Sequence, residues 1–274
     1  MLEVYYYEDS ICAEKVLMTL AEKGVDDWVR HHIHLFKHEQ FDPEYLKINP
    51  KAQVPTIIHD GKIIRESSII CDYLDELYPE PALKPAGLAA TAEMREWVKE
   101  VDEFAFEAVA SLSFTAVFRD RLLAMSDADR TAYWAGQTLL DRTLRQQSCV
   151  RDGIDSPYAI RALVAWERIF EKIEKTLGDG RSWLMGDLFS LAEINFAPLI
   201  ARVGSMEILA IWLEDRPETG AWWERITARP SFSEANVGAP AEEREFYAGA
   251  GAKIIDAART RLQAYRADYS SALG

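Results

Sequence analysis

The turn Asp9-Ser10-Ile11-Cys12 places a hydroxyl and a thiol between an expected strand and an expected helix. Ligands bind outside the carboxyl ends of strands in sheets of this kind. The free amides and positive end of a helix stabilise an anion there. A serine hydroxyl can donate a hydrogen bond to a thiolate. Lowering a thiol pKa from about 8.5 to about 6.5 takes roughly 2.7 kcal/mol of differential stabilisation. One charged hydrogen bond plus a helix terminus can supply that. The alternative is that Ser10 is only an N-cap and Cys12 only a small buried residue.

Two further groups carry weaker signals. In Gln53-Val54-Pro55, a proline opens a strand and cannot donate to the ladder, so it belongs at an edge or a turn. A cis bond there would turn the Val54 backbone outward, although cis is a minority state for X-Pro bonds, about 5–6%. Glu66-Ser67 stands at the start of a helix. A carboxylate for an ammonium, next to a hydroxyl and an amide for a carboxylate, suits an α-amino-acid head group. A helix cap beside an acid is the plainer alternative. His31-His32-Ile33-His34 invites a metal reading. In a strand, however, His32 and His34 share one face and His31 takes the other, with no Cys or acid at ligand spacing, so no metal is expected.

The elements that must position these residues come from periodicity. LEVYYY and WVRHHIHL alternate as strands, and Val16, Leu17, Leu20 and Ala21 follow helical spacing up to Gly24. Ser10 or Asp9 can cap that helix. Asp42-Pro43 opens a short helix over PEYLKIN. VPTII and KII form a hairpin through Asp60-Gly61, and Ser67 or Ser68 starts a helix ending before Pro79. The order βαβαββα makes the first two strands parallel with a right-handed crossover. Pro79, Pro81 and Pro85 mark a linker. Beyond it, helices are expected near 91–118, 127–148, 157–177, 191–203 and 218–228. Arg229-Pro230 ends a helix, and a charged helical tail over 252–270 follows a Gly-Ala-Gly hinge. Ser190-Leu-Ala-Glu193 has capping-box spacing. The expected architecture is a small α/β domain over 1–80, a linker over 81–90, an all-α domain over 91–240 and a helical tail over 241–274.

Composition excludes several classes. The 274 residues are 49% hydrophobic and 28% charged, ordinary for a globular chain. Thirty-one Lys and Arg against 45 Asp and Glu give −14. That balance disfavours nucleic acid and anionic lipid, which need Lys and Arg to meet phosphate. The longest stretch free of charge, Ala108 to Phe118, is 11 residues. A membrane span needs about 20. The start MLEVYYYEDS has acids where a signal peptide needs a basic and then an apolar region. Cys12, Cys71 and Cys149 are an odd number without a CxxC, which predicts a reducing, cytoplasmic setting.

Order and spacing join these signals. DSICAEKVLMTLAEKG, INPKAQVPTIIHDGKIIRESSIICDYLDELYPE, SWLMGDLFSLAEINFAPLIARV and WWERITARPSF together resemble the glutathione transferase superfamily over about residues 2–236. The resemblance implies a thioredoxin-like glutathione-binding domain, a helical domain and a homodimer, with glutathione as co-substrate. Ser10 falls at the thiol-activating serine of the theta- and zeta-like classes. Val54 and Pro55 fall at the Val-cisPro pair, Glu66 and Ser67 at the γ-glutamyl site, and Gln53 at a further contact. Gln40 falls near the glycine-carboxylate position, with Lys37 and His38 as rivals. Ser190 and Glu193 fall at the helical-domain capping box, where the family usually has Asp, and both acids can cap. HDGKIIRESSIICDYLDELYPE and AEMREWVKEVDEF are similar to glutathione-dependent β-aryl etherases. The Ser-Ile-Cys turn and ARVGSMEILAIWLEDRP are similar to a reductive dehalogenase in which a cysteine at the position of Cys12 resolves a glutathione conjugate. Zeta-class isomerases also place a cysteine here.

The resemblance implies that Ser10 holds the glutathione thiolate for attack on a hydrophobic, aromatic electrophile. The second pocket is expected between the domains. Trp97, Phe104 and Phe114 are candidates for its lining, though aromatics at helical spacing usually face the core. Thiol exchange, reductive dehalogenation or isomerisation through Cys12 is the second reading, and a non-catalytic binding protein on the same fold is the third. Because the net charge is negative, local amides rather than the global field are expected to attract an anionic peptide.

Overall fold

The computed structural model describes residues 1–137 and 139–273. Alternation puts Leu2 and Val4 of β1 (Leu2–Tyr6) in the core. α1 (Ile11–Glu22) follows with Ser10, not Asp9, as its N-cap. β2 (Val29–His32) is shorter than WVRHHIHL predicts. Ile33 still donates to the Tyr6 carbonyl, but the chain then bends into 3-10 turns over Leu35–Lys37 and Glu39–Phe41, with His38 at φ 63 between them. α2 (Pro43–Ile48) is capped by Asp42, which accepts from the Glu44 amide. β3 (Thr56–His59) and β4 (Lys62–Arg65) turn through Asp60 and Gly61 at φ 48 and 77. Positive φ at both central residues is what a type I′ hairpin requires. α3 (Ser67–Leu77) completes the motif.

The sheet order is β2-β1-β3-β4. β1 runs parallel to β2 and antiparallel to β3, and β4 forms the antiparallel edge. This is the expected thioredoxin-like arrangement. Lys23 at the end of α1 is buried and donates to Asp75 of α3 at 2.5 Å. The same Asp75 oxygen accepts the Leu83 amide at 2.8 Å, so one carboxylate ties α1, α3 and the proline-rich segment together.

The rest of the chain is helical: α4 (Leu88–Glu100), α5 (Phe106–Thr115), α6 (Val117–Ala124), α7 (Asp127–Ala135), α8 (Leu140–Asp152), α9 (Pro157–Leu177), α10 (Leu191–Ser205), α11 (Ala210–Leu213), α12 (Pro217–Thr227), α13 (Pro230–Glu234), α14 (Arg244–Ala252) and α15 (Ile255–Leu273). Several expectations need correction. The helix expected over 91–118 is interrupted by a π-helical turn at Val101–Ala105, which absorbs extra backbone between α4 and α5. The helix expected over 127–148 stops at Gly136, and its residue Thr138 lies outside the described residues. Pro230 does not merely end a helix but opens α13, its fixed φ fitting a first helical position. The Gly-Ala-Gly segment is not a hinge. It lies inside α14, and the break falls at Lys253 and Ile254. A Cβ on Gly251 would stand 1.7 Å from the Met206 carbonyl oxygen, so that glycine serves close packing instead.

Contacts gather the chain into two compact units, each discontinuous in sequence. The first comprises Met1–Val101, Asp179–Ala201 and Ala221–Pro240. In it the Ser190 hydroxyl accepts from the Ala192 amide at 3.1 Å and donates to Glu193 at 2.8 Å. Glu193 also accepts the Ser190 amide at 3.0 Å, the Leu184 amide at 2.6 Å and the Trp222 indole at 3.4 Å. Burial pushes its carboxyl up, against those hydrogen bonds. The extra methylene of Glu over Asp lets one side chain span both the cap and the Leu184 loop.

The second unit comprises Asp102–Gly178, Arg202–Gly220 and Ala241–Gly274. Trp166 stacks on Phe170 at 5.2 Å, and the Trp212 indole donates to the Leu163 carbonyl at 3.3 Å. Glu167 accepts from Arg216 at 2.6 Å and from Arg266 of α15 at 2.8 Å. Burial works to raise this carboxyl, but the two guanidiniums overcome it and hold Glu167 below its ordinary value. Among the described residues, no helix is long and apolar enough to cross a membrane.

Candidate functional site

Strand register decides which loops share an end of the sheet. Tyr5 pairs with Thr56, and Thr56 pairs with Arg65. The segment leaving β1 carries Ser10, the segment entering β3 carries Gln53 to Pro55, and the segment leaving β4 carries Glu66 and Ser67. All three therefore emerge at the same end. β2 runs parallel to β1, with Tyr6 opposite His32, so the turns that hold Gln40 emerge there too. The N-termini of α1 and α3 lie at this end and bring their unsatisfied amides with them.

Ser10 is partly buried in extended conformation. Its hydroxyl oxygen accepts from the Ala13 amide at 3.4 Å. No donation from that hydroxyl occurs among the described residues, so its hydrogen is available to an anion at the helix end. Cys12 is the second residue of α1, a partly exposed thiol that belongs to no disulfide.

The Val54–Pro55 bond is cis. The Val54 side chain is 8% exposed and packs with Tyr7 and Tyr45. No hydrogen bond among the described residues takes up its amide or its carbonyl. The neighbouring backbone is fixed from α2. The Tyr45 hydroxyl donates to the Gln53 carbonyl at 2.5 Å, and the Asn49 amide donates to the same oxygen at 2.9 Å and to the Thr56 hydroxyl at 3.0 Å. Burial pushes Tyr45 up to about 12, so this phenol stays a donor across the neutral range. Tyr45 and Asn49 are positioning residues that the sequence analysis did not find. The signal was an Asn just past the end of PEYLKI and four residues before Gln53, where it caps α2 in extended conformation.

Glu66 precedes α3 at φ 68 and its carboxylate meets Lys51 at 2.6 Å. Ser67 is the first residue of α3, partly buried, beside that carboxylate. Gln40 is 9% exposed, and its side-chain oxygen has no hydrogen-bond partner among the described residues. Its rivals Lys37 and His38 are exposed.

Other candidates fall elsewhere. Trp97 is 4% exposed and packs edge-on against Phe196, and Phe114 is 9% exposed in a cluster with Leu122, Cys149 and Val150. Both are core side chains rather than a pocket lining. Phe104, in the π-helical turn, is 51% exposed. His31 stacks on Tyr5 at 4.2 Å and pairs with Glu3, while His32 meets Glu8. Among the described residues, no group of three His, Cys, Asp or Glu is placed to hold a metal.

Comparisons with known proteins agree with this architecture. Residues 4–82 match the family model of the glutathione S-transferase N-terminal domain, and residues 143–230 match that of the C-terminal domain. The protein LigF of Sphingobium sp. strain SYK-6 is 30% identical over 238 residues, covering 85% of this chain and 92% of its own. Tetrachloro-p-hydroquinone reductive dehalogenase of Sphingobium chlorophenolicum is 26% identical over 245 residues, covering 86% of this chain and 96% of its own. The crystal structure of the β-etherase LigF superposes with a TM-score of 0.74 at 28% identity, over 86% of this chain and 98% of that one. The chain belongs to the glutathione S-transferase family, enzymes whose co-substrate is glutathione.

Proposed function

We propose that this enzyme ionises the glutathione thiol at the N-terminus of α1 and delivers it to an electrophilic carbon of a hydrophobic aromatic compound, with β-aryl ether cleavage as the leading reaction. The observation that carries the reading is a shared end of the sheet where Ser10 keeps an unused hydroxyl hydrogen and Val54 keeps an unpaired amide and carbonyl. Ser10 donates to the thiolate. The sulfur lone pair forms a carbon–sulfur bond, and the leaving aryloxide departs with the electron pair of the broken carbon–oxygen bond and takes a proton from water. Val54 pairs with the cysteinyl backbone, Pro55 fixes that strand entrance and Gln53 adds a contact. Glu66 and Ser67 hold the γ-glutamyl group, and Gln40 serves the glycine end. The likeness to LigF supports the ether reading. We further propose a cytoplasmic homodimer in which residues 1–80 bind glutathione and residues 91–240 bind the electrophile. Exposed Ile63, Ile69 and Leu88 support a partner surface.

Cys12 favours a second reading, supported by the likeness to the dehalogenase. In it the Cys12 thiolate attacks the sulfur of an aryl-glutathione conjugate. A mixed disulfide forms and the arene leaves with the carbon–sulfur electron pair, then takes a proton. A panel of aryl ethers and halogenated hydroquinones on wild type, Ser10→Ala and Cys12→Ala separates the two. Ether cleavage lost with Ser10→Ala and kept with Cys12→Ala supports the first reading. Loss with Cys12→Ala, plus a mixed disulfide seen by mass spectrometry, replaces it with the second. A chain that neither turns over any substrate nor binds glutathione would overturn both.

A further inference from the structure

The charge at the mouth of the site has a specific arrangement. Lys51 precedes the Gln53-Val54-Pro55 segment, and its ammonium sits 2.6 Å from the Glu66 carboxylate. Both side chains are about half-exposed, at 54% and 53%. An exposed pair of this kind adds little to stability, so its value to the fold is small and it rearranges readily. Lys51 holds one carboxylate oxygen, and the other can accept from a second ammonium. Immediately beyond Glu66 stands Ser67, the first residue of the 11-residue α3. The nearby Arg65 is committed elsewhere, with two of its nitrogens donating to the Ile48 carbonyl.

From this juxtaposition we infer that Lys51 is a specificity-determining residue that reads the α-carboxylate of the γ-glutamyl head group. The inference rests on the proposed glutathione reading and deepens it. A head group that is both ammonium and carboxylate completes an alternating ring. Its ammonium takes the free oxygen of Glu66, its carboxylate lies between Lys51 and the first amides of α3, and every neighbour in the ring is of opposite sign. A ligand carrying only the ammonium competes with Lys51 for Glu66 and leaves the lysine with nothing new. The pair therefore favours a zwitterion over either half of it. It also supplies a local cation in a chain of net charge −14, where an anionic peptide gains nothing from the overall field. This adds a local cation to the local amides expected to attract the peptide.

Calorimetric titration of the full chain tests this with two peptides, glutathione and γ-aminobutyryl-cysteinylglycine, which lacks the α-carboxylate. Lys51→Met is expected to raise the Kd for glutathione about tenfold, equivalent to about 1.4 kcal/mol. It is expected to leave the Kd for the decarboxylated peptide unchanged or slightly lower. Lys51→Arg restores most of the glutathione affinity, and Lys47→Met, which removes another exposed pair with Glu44, changes neither titration. Equal weakening of both peptides by Lys51→Met would reduce the residue to a loop support and overturn the inference. So would unchanged or tighter glutathione binding, and in all these cases wild-type binding of glutathione still stands. Absence of heat with glutathione and wild type would instead remove the functional reading, and the inference with it.

Discussion

Ser10 and Ser190 cap two helices of the same compact unit, and their hydroxyls have opposite fates. Each accepts a hydrogen bond from an amide in the first turn of its helix. At the third helical position, α10 has Glu193, which takes the Ser190 hydrogen at 2.8 Å, while α1 has Ala13, which takes nothing. Ser190 is fully buried and saturated, whereas Ser10 is partly exposed with its hydrogen unused. The residue three positions on therefore separates a serine that holds the fold from one equipped to hold a ligand. In this capping box the acid takes the serine's hydroxyl hydrogen as well as its backbone amide, whereas the bare cap at Ser10 leaves the hydroxyl hydrogen unused.

That contrast can be broken from either side. The largest effect is expected from Glu193→Ala, which orphans several buried donors at once and should cost about 3 kcal/mol in urea unfolding. Because burial raises this carboxyl in the folded state, its contribution is full below the ordinary glutamate value near pH 4.3 and declines as pH rises through the raised value. The deficit should therefore narrow from about pH 4 upward. A deficit that grows with pH would contradict the assignment. Ser10→Ala should do the converse. Turnover with glutathione is expected to fall about 100-fold, the scale of losing one donor to a developing anion. Unfolding should shift by about 1 kcal/mol or less, the value of a cap. Equal losses of stability in the two variants would erase the distinction.

Tyr45→Phe probes how the Val54 backbone is held. Glutathione KM should rise about tenfold, roughly 1.4 kcal/mol for a lost positioning hydrogen bond, with kcat much less affected. The KM ratio of wild type to variant should stay flat between pH 6 and about pH 9, because the phenol titrates only near 12. The smallest effect belongs to Ala52, which adopts φ 52 beside Lys51. Ala52→Gly removes a left-handed penalty of about 1 kcal/mol and should raise the unfolding midpoint. A drop in that midpoint would show that the loop gains more from the methyl group than it loses in strain.

The order βαβαββα was legible because each element announced itself locally: Leu2 and Val4 by alternation, Asp42-Pro43 by cap chemistry and Asp60-Gly61 by its turn. α9 was bounded by Ser156-Pro157 and by the end of its apolar stripe. The break between α4 and α5 was not legible, because a π-turn preserves helical composition and changes only its phase. The site was visible as isolated pairs, Ser10 with Cys12 and Glu66 with Ser67, whose assembly depends on the pairing of Tyr5, Thr56 and Arg65. Tyr45 and Asn49 were missed because their partners, the Gln53 carbonyl and the Thr56 hydroxyl, carry no signature in composition or periodicity. For Trp97 and Phe114 the sequence favoured the core over a pocket lining without deciding it, because an aromatic on a helix looks the same whether it faces core or cleft, and both are buried.

The seat of Gly251 against Met206 sets a rule for anyone diversifying the C-terminal helices. Helical turns elsewhere in α14 offer the usual latitude at outward positions. At 251 even a methyl group would need the space of a carbonyl oxygen 1.7 Å away. A randomised library selected for soluble protein should return a mixture of residues at Gly249, where an added carbon meets nothing, and a single letter two positions later.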